Sequence, residues 1–229
     1  MSKNSLIDKM DACQDDMEMR IFDLFRERPL SCNLWVLNDK GAGFDFWIND
    51  FIFTHCTLHR AMIRVVDKNH SMHKIIDLMG GTYLPLALHA KSLPKRQLLA
   101  FNQNDEELSQ GLKMWIPSMI MRELKSRPDE KKIIVFTDLT NFVKNEEPGL
   151  TEAVTRIYEE APSCNGAVLT VFKSVEEIER LGEFGKAVIR LSGAVITLRL
   201  RPENLEKLKR LGFFVMPSPD ISCPEPETE

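Results

Sequence analysis

The sequence predicts an α/β domain, a mostly parallel sheet with helices on both faces. Three observations predict it. Short apolar runs of strand length, such as Ile63-Arg64-Val65-Val66 and Ile133-Ile134-Val135-Phe136, alternate along the chain with segments whose apolar residues recur at helical spacing. These runs are apolar nearly throughout, the pattern of strands buried on both faces by crossover helices. The chain has 229 residues, 43% hydrophobic and 28% charged, enough for one large domain with its own core and no need of disulfides or metals.

The elements follow in order. Residues 5–28 read as an amphipathic helix or extended lead-in that Pro29 ends, so residues 1–30 form an N-terminal segment apart from the α/β domain at 31–216. Residues 32–37 make the first strand, and the turn-rich stretch Asn38-Asp39-Lys40-Gly41-Ala42-Gly43 leads to a helix at 45–55. A second strand at 61–66 ends in Asp67. A helix at 70–79 carries Met72, Ile75, Ile76 and Met79 on one face and stops at Gly80-Gly81. Residues 82–88 form a third strand, 91–104 a polar loop, and 105–125 a helix that Pro117 kinks or breaks.

The clearest strand covers 132–138. A clean amphipathic helix at 150–161 presents Leu150, Ala153, Val154 and Ile157, and a buried strand follows at 167–172. Ser174 and Glu177 form a capping box that opens a helix through Val175, Ile178 and Leu181. Residues 194–200 are the last strand, and Pro202 suits the first turn of the last helix. Residues 217–229 hold four of the twelve prolines with acidic residues and read as a disordered tail.

The net charge of −4 excludes a basic nucleic-acid coat as the main feature. No apolar stretch approaches the length of a membrane span, and residues 1–20 lack the apolar region of a secretory signal. Five scattered cysteines without a C-x-x-C pair point to free thiols in a reducing cytoplasm.

In an open parallel sheet the active edge lies at the carboxyl ends of the strands, so the loops after Leu37, Val66, Asp138 and Phe172 carry the functional question. The first stands where a phosphate-binding loop belongs. That loop needs glycines that turn backbone N–H groups inward, a lysine for the β- and γ-phosphates, and a hydroxyl for magnesium. In register, only Gly43 survives; Phe44 takes the lysine position and Asp45 the hydroxyl position. The run 133–136 followed by Thr137-Asp138 fits the hydrophobic strand whose terminal aspartate orients magnesium, but Leu139 stands where hydrolysing members of many such families carry a water-activating glutamate. Lys173 lies at a sensor position and reads either as a phosphate contact or as a surface lysine. Lys40 reads as a displaced phosphate lysine or as a turn residue. Asp67 and Asp138 also read as plain strand-end caps.

Across residues 21–216 the chain resembles the RecA-type motor domain of the TraC-like ATPases of conjugative transfer and type IV secretion. Five segments carry the resemblance: Cys32–Leu37 with Gly41-Ala42-Gly43; Ile63–Asp67 with Ser71–Leu78 and Gly80-Gly81-Thr82-Tyr83; Val135–Asp138; Ile157-Tyr158 with Asn165-Gly166-Ala167; and Val171–Ser174. The resemblance implies a RecA-like P-loop NTPase fold and a degenerate nucleotide site at Lys40, Gly41, Gly43, Asp138 and Lys173. ATP with magnesium is the cofactor to test there, although the losses at Phe44, Asp45 and Leu139 argue against catalysis. It further implies a structural or regulatory subunit, a cytoplasmic place beside a membrane-bound machine, and as partners secretion or conjugation ATPase subunits or further copies of the chain. A partner-completed ATPase and a stand-alone ligand-sensing domain are the competing readings.

Other candidates are weaker. His55-Cys56-x-x-His59 has metal-binding i, i+4 spacing but lacks the glutamate of a zinc hydrolase and lies near a helix end. His70 and His73 face away from the apolar stripe. Lys91, Lys95, Arg96, Lys131 and Lys132 lack the interleaved aromatics of a nucleic-acid surface. The methionine-rich lead-in, with Met10, Met17 and Met19, docks equally well on a partner or on its own domain.

Overall fold

The computed structural model describes residues 32–38, 44–68, 70–84, 97–102, 110–143, 148–198 and 202–210. Its strands are β1 (Asn33–Asn38), β2 (Met62–Asp67), β3 (Thr82–Leu84), β4 (Leu98–Asn102), β5 (Lys132–Phe136), β6 (Gly166–Phe172) and β7 (Ser192–Leu198). They form one sheet in the order β3-β4-β2-β5-β6-β1-β7, and every pairing is parallel. The helices are α1 (Phe44–Thr57), α2 (His73–Leu78), α3 (Gln110–Ser126), α4 (Leu139–Phe142), α5 (Pro148–Glu160), α6 (Val175–Arg180), α7 (Gly182–Arg190) and α8 (Pro202–Arg210).

Side-chain alternation along each strand divides the core in two. On β1, Leu34 and Val36 join Ile48 and Ile52 of α1 and Ile75 and Ile76 of α2 on one face. Trp35 and Leu37 join Ile116 and Ile120 of α3, Val154 and Ile157 of α5, Val188 of α7 and Leu208 of α8 on the other. This is the doubly covered parallel sheet that the apolar runs predict.

Three polar groups tie the sheet to its cover. Buried Asn33 donates from Nδ2 to the Tyr158 and Leu191 carbonyls at 2.7 and 3.0 Å and accepts the Val168 N–H at 3.0 Å. Arg64, in mid-strand and 3% exposed, forks onto Glu123 of α3 with two bonds of 2.5 Å. Lys132 donates to the carbonyls of Arg127, Glu130 and Cys164, and burial lowers its pKa.

Several elements depart from the sequence expectations. Residues 98–102, expected within a loop, are strand β4: Leu98, Leu99, Ala100 and Phe101 are all buried, and β2 and β3 flank them. A run of four apolar residues inside a polar stretch is too short to stand out by composition, and its neighbours in the sheet decide it. The helix expected from residue 70 begins at His73, because residues 70–72 turn around Asp67, with His70 left-handed at φ 53°. Pro117 lies inside α3, which continues through it.

Ser174 makes no side-chain cap to α6, and Glu177 reaches past the Ser174 N–H to that of Lys173 at 2.8 Å, so the expected capping box does not form. The helix expected through Leu181 is α6, and a further helix not expected from the sequence, α7, follows from Gly182, whose φ of 57° suits glycine. Gly185 lets α7 cross α6 closely, since a Cβ there would meet the Ile178 carbonyl oxygen at 2.1 Å. The lead-in at 1–30 and the tail at 217–229 lie outside the described residues.

Candidate functional site

The strand order brings the carboxyl ends of β2, β5, β6 and β1 side by side along one edge. Asp67 ends β2, Asp138 lies two residues beyond β5, and Lys173 directly follows β6. Three of the four loops singled out from the sequence therefore do meet at this edge. Lys40, Gly41 and Gly43 follow β1 but lie outside the described residues.

Asp67 is fully buried and its carboxylate is saturated. Oδ1 accepts from the Lys68 N–H at 2.8 Å, the Ser71 hydroxyl at 2.5 Å and the Thr137 hydroxyl at 3.1 Å. Oδ2 accepts from the Met72 N–H at 3.0 Å and the Tyr83 hydroxyl at 2.5 Å. Burial first, then the adjacent carboxylate, pushes the Tyr83 phenol well above its ordinary pKa, which keeps it a donor. Asp67 thus fastens β2, the turn into α2, β3 and the end of β5 together. Of the two sequence readings of this residue, the geometry is that of a cap with tertiary reach.

Asp138 is similarly engaged. Oδ1 accepts the Asn141 N–H at 3.0 Å and so caps α4. Oδ2 accepts from the Lys68 ammonium at 2.8 Å and from Asn141 Nδ2 at 3.1 Å. The ion pair is half-buried, with side chains 30% and 12% exposed. The next side chain, Leu139, is fully buried in the core and faces no solvent. Lys173 is exposed, and among the described residues its backbone N–H, not its ammonium, has a partner.

A magnesium-bound nucleotide needs a free carboxylate to orient the metal and a group to activate water. Neither is offered. Both Asp138 oxygens are engaged, a cation already sits against Oδ2, and the position of the general base points into the core. The described residues do not fit the magnesium-bound group.

Lys68 is the residue that the sequence reading missed. The registers of β2 and β5 pair Val66 with Phe136, which continues to Lys68 opposite Asp138. Asp-Lys after one strand and Thr-Asp after another are complementary endings, but only the adjacency of β2 and β5 turns that into a contact.

The remaining candidates are placed as follows. His55 is buried in the last turn of α1, stacked on Phe51 at 4.1 Å, with Nδ1 at 2.9 Å from the Phe51 carbonyl. His59 lies beyond the helix end, so the pair shares no helix face, and no metal-holding cluster exists among the described residues. His70 and His73 are exposed, their rings 4.6 and 6.1 Å from that of Tyr83. Lys132, once grouped with surface lysines, is 4% exposed and serves carbonyls, so it is not free to meet nucleic acid. Lys91, Lys95 and Arg96 lie outside the described residues. Cys32, Cys56 and Cys164 are free thiols.

No protein-family model and no curated protein matches the sequence. Solved structures do match. The genome packaging NTPase of Sulfolobus turreted icosahedral virus 2, in complex with AMP, is similar at a TM-score of 0.55 and 11% identity, over 79% of this chain and 81% of that one. Its complex with AMPPCP gives 0.52 and 12%, over 80% and 83%. The DNA-packaging ATPase of Sulfolobus turreted icosahedral virus gives 0.54 and 10%, over 80% and 83%.

The chain has the fold of the P-loop NTPases. At such identity the likeness is one of fold, in agreement with the RecA-like arrangement expected from the sequence. It does not single out the TraC-like family. No helix among the described residues is long and apolar enough to cross a membrane.

Proposed function

We propose that this chain is a non-hydrolysing subunit of P-loop NTPase fold, which assembles with active ATPase subunits of a nucleic-acid-moving machine and acts there as a structural or regulatory component. The observation that carries the reading is the closed state of Asp138: Lys68 holds one carboxylate oxygen, the α4 cap holds the other, and Leu139 follows in the core. The fold is kept while the groups that would bind and activate Mg-ATP serve each other. The sequence resemblance supports a conjugative-transfer or type IV secretion setting, and the solved structures of similar fold are packaging ATPases. Both support partners that are themselves ATPases of this fold, in the cytoplasm.

Thermal unfolding of the full chain with and without millimolar Mg-ATP tests it. A ligand that binds only the folded state adds about 2.7 kcal/mol of stability at one hundred times its Kd. The expected result is an unchanged Tm. A rise of several degrees would overturn the reading in favour of an ATP-binding component completed by a partner.

A further inference from the structure

The opposite edge of the sheet, where the strands begin, carries a groove of about 500 Å³. Its walls are Cys56, Met62 and Met79 on the apolar side and Arg60, Arg127 and Gln97 on the polar side. Arg60 is exposed, and no described residue pairs with it; it sits just past α1 with φ 51°. Among the described residues the Arg127 guanidinium meets the Met62 sulfur at 3.3 Å and the exposed Glu130 carboxylate at 3.4 Å, a long and solvent-screened ion pair. The exposed side chains of Phe53, Leu58 and Leu78 belong to the ends of the two helices that flank this groove. Two under-used guanidiniums beside methionines and exposed apolar residues suit an occupant that is both acidic and apolar.

The chain carries such a segment. Residues 8–18 hold Asp8, Asp11, Asp15, Asp16 and Glu18 against the single base Lys9. At helical spacing Met10, Met17, Ile21 and Leu24 fall on one stripe. This lead-in joins the described domain at Cys32, on the same edge as the groove, because all strands of a parallel sheet start at one edge. Only β6 and β5 stand between β1 and β2, three inter-strand steps or about 14 Å. The roughly ten residues before Cys32 can span more than twice that when extended, at about 3.3 Å each.

We propose that the acidic, methionine-bearing lead-in of this same chain seats in the Arg60/Arg127 groove, its carboxylates on the two guanidiniums and its methionine stripe against Met62, Met79 and the exposed end of α1. Methionine fits an irregular apolar wall because it is unbranched and polarizable. The inference does not depend on the nucleotide-site reading, since the two lie at opposite ends of the sheet.

The native cysteines make the test. Leu58→Cys places a thiol on the groove rim in the full chain, at a side chain that is 61% exposed. Cys13 lies in the lead-in and Cys223 in the tail. Cys56 competes poorly, since it is buried and its thiol is pushed up to about 11 by that burial. A short bismaleimide followed by peptide mass spectrometry should join Cys13 to the introduced thiol within one chain. Arg60→Glu with Arg127→Glu should cut that yield severalfold, and Asp15→Lys with Asp16→Lys, which leaves the described domain untouched, should do the same. A link to Cys223 would assign the groove to the tail, and a link between two chains would assign it to a second copy; either overturns the proposal. So does an absent link, or one indifferent to both charge reversals.

Discussion

The two edges of the sheet treat their polar groups in opposite ways. At the carboxyl edge, Asp67 takes five hydrogen bonds and Asp138 takes three, one of them from Lys68. At the amino edge, Arg60 lacks a described partner, Arg127 has a methionine sulfur and one long, exposed ion pair, and His55 buries an Nε2 that no described group meets. Among the described residues, the carboxylates at the edge where folds of this class hold their ligand are engaged by neighbouring groups, and the opposite edge has open charge. Polar groups left open at a surface define where something else can bind, so the contrast moves attention from the nucleotide edge to the groove below it.

The largest effect that could break this comparison belongs to Asp67. Asp67→Ala removes the acceptor of the Lys68 and Met72 N–H groups and of the Ser71 and Tyr83 hydroxyls at a fully buried position, and should cost about 3 kcal/mol in urea unfolding. A loss under about 1 kcal/mol would mean that the carboxyl edge is not locked.

The second effect is a pH dependence at the other edge. Burial lowers the His55 pKa from 6.5 to about 4, with His59 and Lys131 adding repulsion of the proton. The unfolded chain therefore binds the proton first as pH falls. Stability is full above about 6.5 and drops between 6.5 and about 4, by up to about 3 kcal/mol. His55→Phe keeps the stack on Phe51, removes the unmet nitrogen and should flatten that part of the pH–stability curve. An unchanged slope in the variant would place the titration elsewhere.

The smallest effect concerns Lys68. The pair with Asp138 is partly exposed, so screening by solvent limits it, and Lys68→Met should cost about 1 kcal/mol. A double-mutant cycle with Asp138→Asn should return a coupling of similar size that shrinks in about 1 M salt. Zero coupling at low salt would remove Lys68 as the cation that closes Asp138, and with it the main support for the non-hydrolysing reading.

Much of the fold was legible in the residues. The runs that became β1, β2, β5 and β6 are apolar on both faces and flanked by turn residues, and α5 shows an unbroken 3.6-residue period. Strand β4 was hidden because its four apolar residues sit in a polar context and become a strand only between β2 and β3. Helix α7 was missed because it follows α6 at once and starts at Gly182, a residue that reads as a helix stop. Of the candidate site, the locations of Asp138 and Lys173 were readable as strand ends. Their use was not: Lys173 presents only its backbone N–H, and the Asp138 partner comes from another strand.

The sequence by itself determined the fold class, the loss of the phosphate lysine and magnesium hydroxyl at Phe44 and Asp45, and the absence of a glutamate at position 139. These are local facts, set by periodicity and by residue type at one position. Only the tertiary structure decided that Lys68 meets Asp138, that Asp67 gathers four segments, and that Arg60 and Arg127 share a groove. The contact of Lys68 with Asp138 joins residues 70 positions apart. It exists because β2 and β5 pair in register, and no local pattern encodes which strands become neighbours.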